Sequence, residues 1–374
     1  MVKRILLIQT KHGPYHVARL EAIVNECKRI NWEVKSLELS RQSTTYKWKN
    51  DISYLDCIIP LIENKAVENT NFFVVAQKLL MLLTKIKPDV VVIAGYARWL
   101  MGLSLIWCKV NRIPSILLSE SKEDDAIRHS LNENIKSLIV KQFDAALVGG
   151  YPHKRYLEKL GFNNSGIFIG YDVVGNEYFN PNKIRQLPRP IERSYFLAIN
   201  RFILKKNIPF VVEAYAKYRN IFKEEAFDLV LAGDGELLPD VQEQVEKLEL
   251  QAFIHFPGFL QIDQLLPFFA HASTFIHASS QEQWGLVVNE AMASGLPVFV
   301  SNLCGCFEDL VIDGVNGYGF NPEVVDDLVN LMTRATTGEI DLHAFGNASL
   351  DHIQNYSPEF HACQLIKAVK FALN

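Results

Sequence analysis

Residues 279–297 read SSQEQWGLVVNEAMASGLP and follow the apolar run Thr274–His277. That run has the length and composition of a buried strand, and the polar loop behind it passes through Gly285 into a helical pattern. Gly295 is a natural C-terminal cap for the helix, and Pro297 follows just beyond it. The order of strand, loop and helix predicts one unit of a parallel α/β sheet.

The same alternation of apolar runs and amphipathic stretches extends outward in both directions. The predicted strands are Arg4–Gln9, Val34–Leu39, Val90–Ala94, Ser115–Ser119, Ala145–Val148, Tyr195–Ile199, Phe227–Ala232, Phe253–Phe256, Thr274–His277 and Pro297–Ser301. The predicted helices are Ala18–Ile30, Asn71–Lys85, Arg128–Phe143, Pro209–Asn220, Leu238–Leu248, Ile262–His271, Val287–Ser294, Val324–Thr336 and Pro358–Leu373. Apolar strands separated by helices indicate parallel sheets that are covered on both faces, and therefore an α/β fold.

The length of the chain and one polar stretch divide this pattern in two. The chain has 374 residues, which is comfortable for two domains of roughly 150–200 residues each. The stretch NPNKIRQLPRPI, Asn180–Ile191, interrupts the alternation before a new strand begins at Tyr195. We therefore expect one domain over residues 1–180, a linker at about 181–193, and a second Rossmann-like domain over 194–356.

Charge is distributed unevenly between the two halves. Residues 1–180 contain 24 Lys and Arg against 18 Asp and Glu, so the net charge of −4 combines a basic first half with an acidic remainder. A basic half suits an anionic acceptor or a membrane surface; scattered solvated charge is the alternative. At this net charge, and without a recognisable motif, we expect no nucleic-acid partner.

Targeting and metal signals are weak in this sequence. The apolar run Ile5–Ile8 is too short for a signal peptide, and no stretch of about 18 apolar residues predicts a membrane span. We expect a cytoplasmic protein with reduced thiols, with peripheral contact at the inner membrane face left open. The pair Cys304 and Cys306 lacks a second Cys or His pair at zinc-ligand spacing, so no metal is expected there.

The helix that follows Gly285 suits a phosphate ligand. A helix start presents free backbone N–H groups and a partial positive charge, and Gly285 lets a ligand approach the backbone closely. Glu282 lies before this helix start and Glu290 lies one turn inside the helix, so two carboxylates flank it. They can accept hydrogen bonds from sugar hydroxyls on either side of a diphosphate. The alternative is that Glu282 is a solvated loop residue and that Glu290 is an exposed helix residue.

Five motifs in order resemble glycosyltransferase family 4. Glu282 and Glu290 enclose seven residues, and AMASGLPV follows, as in the family's E-x7-E segment. The other four segments are Asn200–Asn207 (family G-R-L-x-x-x-K-G), Ala232–Glu236 (a Gly-rich turn), Phe256–Phe259 (F-x-G) and Asp313–Gly317 (D-G-x-N-G). Gln283, Val287 and Asn207 depart from the family's common glycine, proline and glycine, which puts the choice of donor sugar in doubt more than activity.

This resemblance implies the GT-B fold, with two Rossmann-like domains whose parallel sheets face a central cleft. It implies retaining transfer of a hexose-type sugar from a nucleotide-diphosphate sugar, with UDP or GDP, to a glycan, lipid or small-molecule acceptor. It also implies that the C-terminal helix, within residues 357–374, packs back on the first domain.

The resemblance implies roles only at matching positions. Glu282 would bind donor-sugar hydroxyls, and Glu290 would bind the ribose. Arg201 and Lys206 would neutralise the diphosphate and act with Glu282 in catalysis. The remaining predicted donor-binding residues are Gly13, Gly233, Phe259, Leu260, Gly285, Leu286 and Val287.

Acceptor-side candidates come from the first half, because ligands bind at the carboxyl ends of strands in open α/β sheets. His12 and His16 follow the first strand, Ser121 follows the strand Ser115–Ser119, and Arg128 opens the next predicted helix. The alternative for each histidine is a structural role.

Two cations and a helix start can stabilise a leaving diphosphate without a metal, and no Asp-x-Asp motif is present. We therefore expect no metal and no cofactor besides the co-substrate. The alternatives are a GT-B epimerase acting on a nucleotide sugar and a non-catalytic nucleotide-sugar-binding protein. A dinucleotide oxidoreductase is disfavoured, because no G-x-G-x-x-G follows the first strand.

Overall fold

The computed structural model describes residues 3–41, 55–63, 70–126 and 128–374. The chain divides into two compact units: unit 1 is Met1–Gly175 with Ser357–Asn374, and unit 2 is Asn176–Tyr356. Every strand pairing in both units is parallel. Each unit is therefore a Rossmann-like α/β domain, as the sequence predicts.

Unit 1 contains a seven-stranded sheet in the order β3-β2-β1-β4-β5-β6-β7. Its strands are β1 Arg4–Gln9, β2 Glu33–Glu38, β3 Ile58–Pro60, β4 Val90–Ala94, β5 Ser115–Ser119, β6 Ala145–Val148 and β7 Ile167–Ile169. Its helices are α1 Pro14–Arg29, α2 Phe72–Ile86, α3 Trp99–Asn111, α4 Ser130–Val140, α5 Tyr151–Lys159 and the C-terminal helix Pro358–Leu373.

The inner strand β1 shows why this sheet is covered on both faces. Ile5 and Leu7 pack in a core with residues of α1 and the C-terminal helix. Leu6 and Ile8 point the other way, into a core with residues of α2 and α3. Because side chains alternate along a strand, a continuous apolar run requires an apolar layer on each side.

Unit 2 contains a six-stranded sheet in the order β10-β9-β8-β11-β12-β13. Its strands are β8 Tyr195–Ile199, β9 Asp228–Ala232, β10 Ile254–Gly258, β11 Thr274–His277, β12 Val298–Ser301 and β13 Gly317–Phe320. Its helices are α6 Pro181–Ile184, α7 Ile208–Phe222, α8 Leu238–Lys247, α9 Ile262–His271, α10 Leu286–Ala293, α11 Phe307–Leu310, α12 Val325–Thr336 and α13 Leu342–Ile353.

The unit boundary lies upstream of the predicted linker at about 181–193. That stretch begins with α6, which buries Pro181 and Ile184 within unit 2. The Asn176 side-chain amide donates to the carbonyl of Ile353, 3.0 Å away. These contacts assign the proline-bearing stretch to unit 2, although its polar composition is typical of a free linker. The C-terminal helix lies in unit 1, against α1.

The strand order reverses at the centre of unit 2. β8 pairs with β9 on one side and with β11 on the other, so the loops after β8 and β11 leave the sheet as neighbours. Such a switch point is where open α/β sheets bind ligands.

Among the described residues, no helix has both the length and the apolar character needed to cross a membrane.

A helical glycine of unit 2 tests how tightly that unit is packed, and a helical glycine of unit 1 serves as its control. A Cβ on Gly346 in α13 would lie 2.2 Å from the carbonyl oxygen of Gly295, whereas a Cβ on Gly102 in α3 meets nothing within 4 Å. We expect Gly346→Ala to lower the free energy of unfolding by about 1–3 kcal/mol. Gly102→Ala is the control and should leave it unchanged or raise it slightly. Urea unfolding followed by circular dichroism measures both; equal stabilities would contradict the close contact.

Candidate active site

The candidate site of unit 2 lies in the loops at the carboxyl ends of β8, β9, β10 and β11. Two of these loops approach so closely that only glycine fits between them. A Cβ on Gly233, whose φ is +134°, would lie 1.8 Å from the carbonyl oxygen of Asn200, and one on Gly235 would lie 2.5 Å from that of Phe202. The predicted donor-binding residue Gly233 therefore shapes the loop after β8.

The loop after β8 carries Lys206 to the loop after β11. A short 3-10 turn, Leu204–Lys206, ends at Asn207 in a left-handed conformation with φ +56°. The Ser280 N–H donates to the carbonyl of Lys205 at 2.9 Å and fastens the two loops. The Lys206 ammonium then donates to the Glu282 carboxylate, although 76 residues separate the two in sequence.

Three polar side chains converge on one oxygen of Glu282. Besides Lys206, the Ser279 hydroxyl donates to Glu282 Oε2 at 3.2 Å, and His277 Nε2 lies 3.4 Å from the same atom. The Glu282 side chain is only 12% exposed. Burial opposes its ionisation, but the hydrogen bond with His277 and the charge of Lys206 outweigh burial and hold its pKa well below the usual range. Glu282 is therefore a partly buried carboxylate with fixed partners, not a solvated loop residue.

Helix α10 begins directly beside this carboxylate. Gly285 precedes it with φ +110°, and a Cβ there would lie 3.2 Å from His277 Nε2, so the helix start packs directly on the imidazole. Leu286 and Val287 form the first turn, where backbone N–H groups lack intrahelical acceptors. The structure thus brings the predicted phosphate-binding helix start and Glu282 together.

Glu290 lies on α10 and is 3% exposed. Its neighbour Asn289 accepts a hydrogen bond from the buried indole of Trp284, with 2.8 Å between Nε1 and Oδ1. This bond joins the loop before α10 to the body of the helix. Glu290 is therefore a buried carboxylate on a fixed helix, which excludes the exposed-helix alternative.

Cys304 and Cys306 contact the loop that carries Glu282 and Trp284. Glu282 and Cys304 form an isolated parallel bridge, and the Cys306 N–H donates to the carbonyl of Trp284 at 3.1 Å. Both thiols are buried, and burial raises the pKa of Cys306 well above its usual value. Within the described ranges, no group of three or more His, Cys, Asp or Glu side chains is arranged to hold a metal ion.

The other predicted residues of unit 2 line the same edge of the sheet. Arg201 is exposed in the loop directly after β8, and within the described part of the chain it forms no ion pair. Phe259 is 40% exposed after the turn at Gly258, and Leu260 beside it is partly buried. Their roles toward a ligand stay predictions.

In unit 1, the loop after β1 holds its histidines in internal contacts. His12 is 2% exposed; its ring contacts the Ser36 hydroxyl at 2.9 Å, and its backbone N–H donates to the Glu38 carboxylate at 2.8 Å. The Gly13 N–H donates to His16 Nδ1 at 3.3 Å at the start of α1. Burial, followed by the charge of Arg19, lowers the pKa of His16 to about 3, so His16 is neutral.

The remaining two acceptor-side candidates lie near the carboxyl end of β5. The Ser121 N–H donates to the Ser119 hydroxyl at 3.3 Å. The Arg128 guanidinium lies 4.6 Å above the Tyr156 ring and pairs with Asp125. Arg128 therefore ties its loop to α5, and its contacts are those of a structural residue. The ligand roles of both stay predictions.

Sequence reasoning missed His277 and Ser279. His277 ends β11 and is fully buried, and its ring also lies 3.3 Å from the Ser279 hydroxyl. The available signal was position: a polar residue at the carboxyl end of a strand, five residues before Glu282, faces the same edge of the sheet.

The sequence has recognisable relatives. Residues 179–351 match the family model described as glycosyl transferases group 1. A 103-residue stretch is 39% identical to an alpha-monoglucosyldiacylglycerol synthase of Streptococcus pneumoniae and covers 27% of this chain but 23% of that relative. The enzyme of the same name from Acholeplasma laidlawii is 24% identical over 313 residues, which cover 76% of this chain and 77% of that relative.

The fold also has a solved counterpart. The crystal structure of Anabaena HepE in complex with UDP superposes with a TM-score of 0.78 at 15% identity, over 99% of this chain and all of that one. The structural neighbours are GT-B glycosyltransferases, so the predicted GT-B fold is confirmed.

Breaking the Lys206–Glu282 pair should destabilise unit 2. Lys206→Met leaves a buried carboxylate without its cation, so we expect a loss on the order of 3 kcal/mol in the free energy of unfolding. Glu282→Gln in the Lys206→Met background should restore part of the lost stability. The double variant should therefore lose less free energy of unfolding than the sum of the losses of the two single variants.

The loss of unfolding free energy in Lys206→Met should become smaller as the pH falls. Because the folded-state pKa of Glu282 is depressed, its stabilisation is complete above the unfolded pKa of about 4.3 and fades as pH falls below that value. Urea unfolding at pH 7 and pH 4 measures this; additive losses that do not change with pH would contradict the pairing.

Proposed function

We propose that this chain, whose residues 179–351 form a glycosyl transferases group 1 domain, transfers a hexose-type sugar from a nucleotide-diphosphate sugar to a hydroxyl acceptor. The observation that carries the proposal is the buried Lys206–Glu282 pair beside the start of α10. A cation, an anion and a helix start at one edge of a sheet match the three parts of such a donor: phosphate charge, sugar hydroxyls and a second phosphate contact.

Charge stabilisation is the main chemical requirement of this reaction. The anomeric C–O bond to the diphosphate breaks, the acceptor oxygen bonds to the same face of the anomeric carbon, and the hydroxyl proton passes to the leaving diphosphate. Arg201, Lys206 and the first amides of α10 neutralise the charge that develops. An ammonium has three N–H groups, so Lys206 can keep Glu282 and still contact a phosphate. We propose that these groups act without a metal.

The two carboxylates, Glu282 and Glu290, bind the hydroxyl groups at the two ends of the donor. Glu282 accepts hydrogen bonds from the sugar hydroxyls, and Glu290 accepts them from the ribose. A UDP- or GDP-linked sugar supplies both sets of hydroxyls. The UDP named in the structure of Anabaena HepE supports the uridine form.

A lipid acceptor is favoured by the surface of unit 1. Residues 71–113 contain six Lys and Arg against one Asp. Three helices expose large apolar side chains, which we call the apolar-basic surface: Phe72, Phe73, Val74 and Met81 of α2, Trp99, Ile106 and Val110 of α3, and Leu131, Ile135 and Leu138 of α4. Exposed apolar groups with surplus positive charge fit an anionic bilayer surface. The names of the two glucosyldiacylglycerol synthases agree with a lipid acceptor.

Two other activities predict different products. An epimerase would convert the donor without an acceptor, and a binding protein would bind it without turnover. Incubation with donor alone, followed by chromatography of the nucleotide sugars, separates the three. Screening UDP, GDP, ADP and their sugars by thermal shift identifies the donor, because a ligand that binds only the native state raises apparent stability.

Arg201→Ala tests the proposed charge stabilisation with little risk to folding, because Arg201 is exposed. We expect kcat/KM to fall by about 10²–10³ while the unfolding midpoint stays unchanged. Lys247→Ala is the control, because it removes an exposed cation whose ion pair, among the described residues, is with Glu243 of its own helix, and it should keep full activity. Turnover near the wild-type rate in Arg201→Ala would remove Arg201 from the mechanism.

Vesicle sedimentation tests the apolar-basic surface. We expect binding to phosphatidylglycerol vesicles to exceed binding to phosphatidylcholine vesicles and to fall with salt. Phe73→Ser with Met81→Ser should weaken binding at least tenfold, because both side chains are exposed on α2. Ile221→Ser, an exposed apolar residue of unit 2, should not change it. Equal binding by all variants would exclude this surface as the membrane contact.

A further inference from the structure

We propose that His277 is a positioning residue for Glu282: a neutral imidazole that holds Glu282 Oε2 and leaves Oε1 to accept from a donor-sugar hydroxyl. The inference rests on the proposed function and adds a residue that neither the spacing of the motifs nor the family match assigns. It depends on which oxygen is engaged, which tautomer the ring adopts, and what the ring packs against.

The engaged oxygen is Oε2 in every contact. Lys206 Nζ, Ser279 Oγ and His277 Nε2 all meet Glu282 at that atom. Within the described part of the chain, Glu282 Oε1 receives no hydrogen bond. A carboxylate has about four acceptor sites, so the unused oxygen is the one available to a ligand.

The tautomer of His277 follows from burial. The ring is fully buried, and its Nδ1 has no hydrogen-bond partner within the described residues. Burial is the largest influence on the pKa of His277 and lowers it. The hydrogen bond and charge of Glu282 raise this pKa and the charge of Lys206 lowers it, but the net direction is down, so the ring is neutral and carries one proton. A proton on Nδ1 would be a buried donor without an acceptor, and the Nε2 lone pair would then face the carboxylate. The proton therefore lies on Nε2, which faces Glu282 Oε2 at 3.4 Å and the Ser279 hydroxyl at 3.3 Å.

Packing keeps the ring in place. The Phe275 ring lies parallel to it within 17°, with centroids 6.3 Å apart. On another side, Gly285 brings the start of α10 so near that a Cβ would lie 3.2 Å from Nε2. His277 thus sets the distance between the carboxylate and the helix start, the two groups that must contact sugar and phosphate at the same time.

Few charged or titratable groups lie near the His277 ring among the described residues. Glu282 and Lys206 act on it directly, and the Cys306 thiol lies near the same glycine, at 3.5 Å from the Cβ position. Burial keeps that thiol neutral. Removing the imidazole N–H therefore leaves Lys206 and Ser279 as the stabilising partners of the Glu282 anion, and the pKa of Glu282 rises.

The test compares His277→Leu, which removes the N–H, with His277→Gln, which keeps a side-chain N–H donor. The probes are the nucleoside diphosphate and the nucleotide sugar that stabilise the wild type most in the thermal-shift screen. Losing a hydrogen bond to a charged group predicts about 10–100-fold weaker binding of the nucleotide sugar. The nucleoside diphosphate alone should bind within about twofold of wild type, because it lacks the hydroxyls that Glu282 accepts from. His277→Gln should recover most of the loss.

Two further measurements separate positioning from packing. Phe275→Leu removes packing from the ring without touching Glu282, so it should weaken both ligands equally or neither. In NMR titrations of carboxyl-labelled glutamate, the Glu282 signal should titrate at higher pH in His277→Leu than in wild type, with no ligand present. The acid limb of kcat/KM should move to higher pH in the same variant.

The outcomes are distinct. A wild type that binds none of the screened nucleotides removes the proposed function, while the NMR titration still tests the contact. An unchanged Glu282 titration, or equal loss of both ligands in His277→Leu, overturns the positioning role.

Discussion

The candidate site depends on one buried ion pair. Taking Lys206 and Glu282 out of water is unfavourable unless each finds a partner, and the partner of each lies on the loop of another strand. The two loops therefore stay together for electrostatic reasons as well as packing reasons. The close approach at Gly233 and the hydrogen bond from Ser280 to Lys205 bring them within reach. The edge of the sheet thus holds a fixed cation and a fixed anion side by side.

The fold could be predicted because its strands are continuous apolar runs. β1, β4, β5, β6, β8 and β11 have the predicted bounds. The missed strands β3 and β7 have three residues each, too few for periodicity to show, and β13 reads GYGF, in which two glycines break the apolar run. Helix α3 was also missed: its run WLMGLSLIWCKVN is apolar on most sides because the exposed Ile106 and Val110 interrupt the polar face. The unit boundary was misplaced because burial of Pro181 cannot be read from composition.

The site was predictable in part, for a different reason. Glu282, Gly285 and Glu290 are close in sequence, and spacing along one strand-loop-helix unit places them. His277 could not be identified, because a histidine at the end of an apolar strand has the same pattern whether it fills the core or holds a carboxylate. Its role depends on which atom lies 3.4 Å away.

The left-handed Asn207 links Lys206 to a distant part of unit 2. A glycine would adopt this backbone conformation with less strain, but it could not donate, as the Asn207 amide does, to the carbonyl of Pro322 at 2.9 Å. The residue directly after the lysine is thereby anchored beyond β13, at the far edge of the sheet. A shift of the segment around Pro322 would displace Asn207, and with it the backbone that carries the Lys206 ammonium. Natural variation around Pro322 can therefore shift the position of the Lys206 ammonium without altering Lys206 or Glu282.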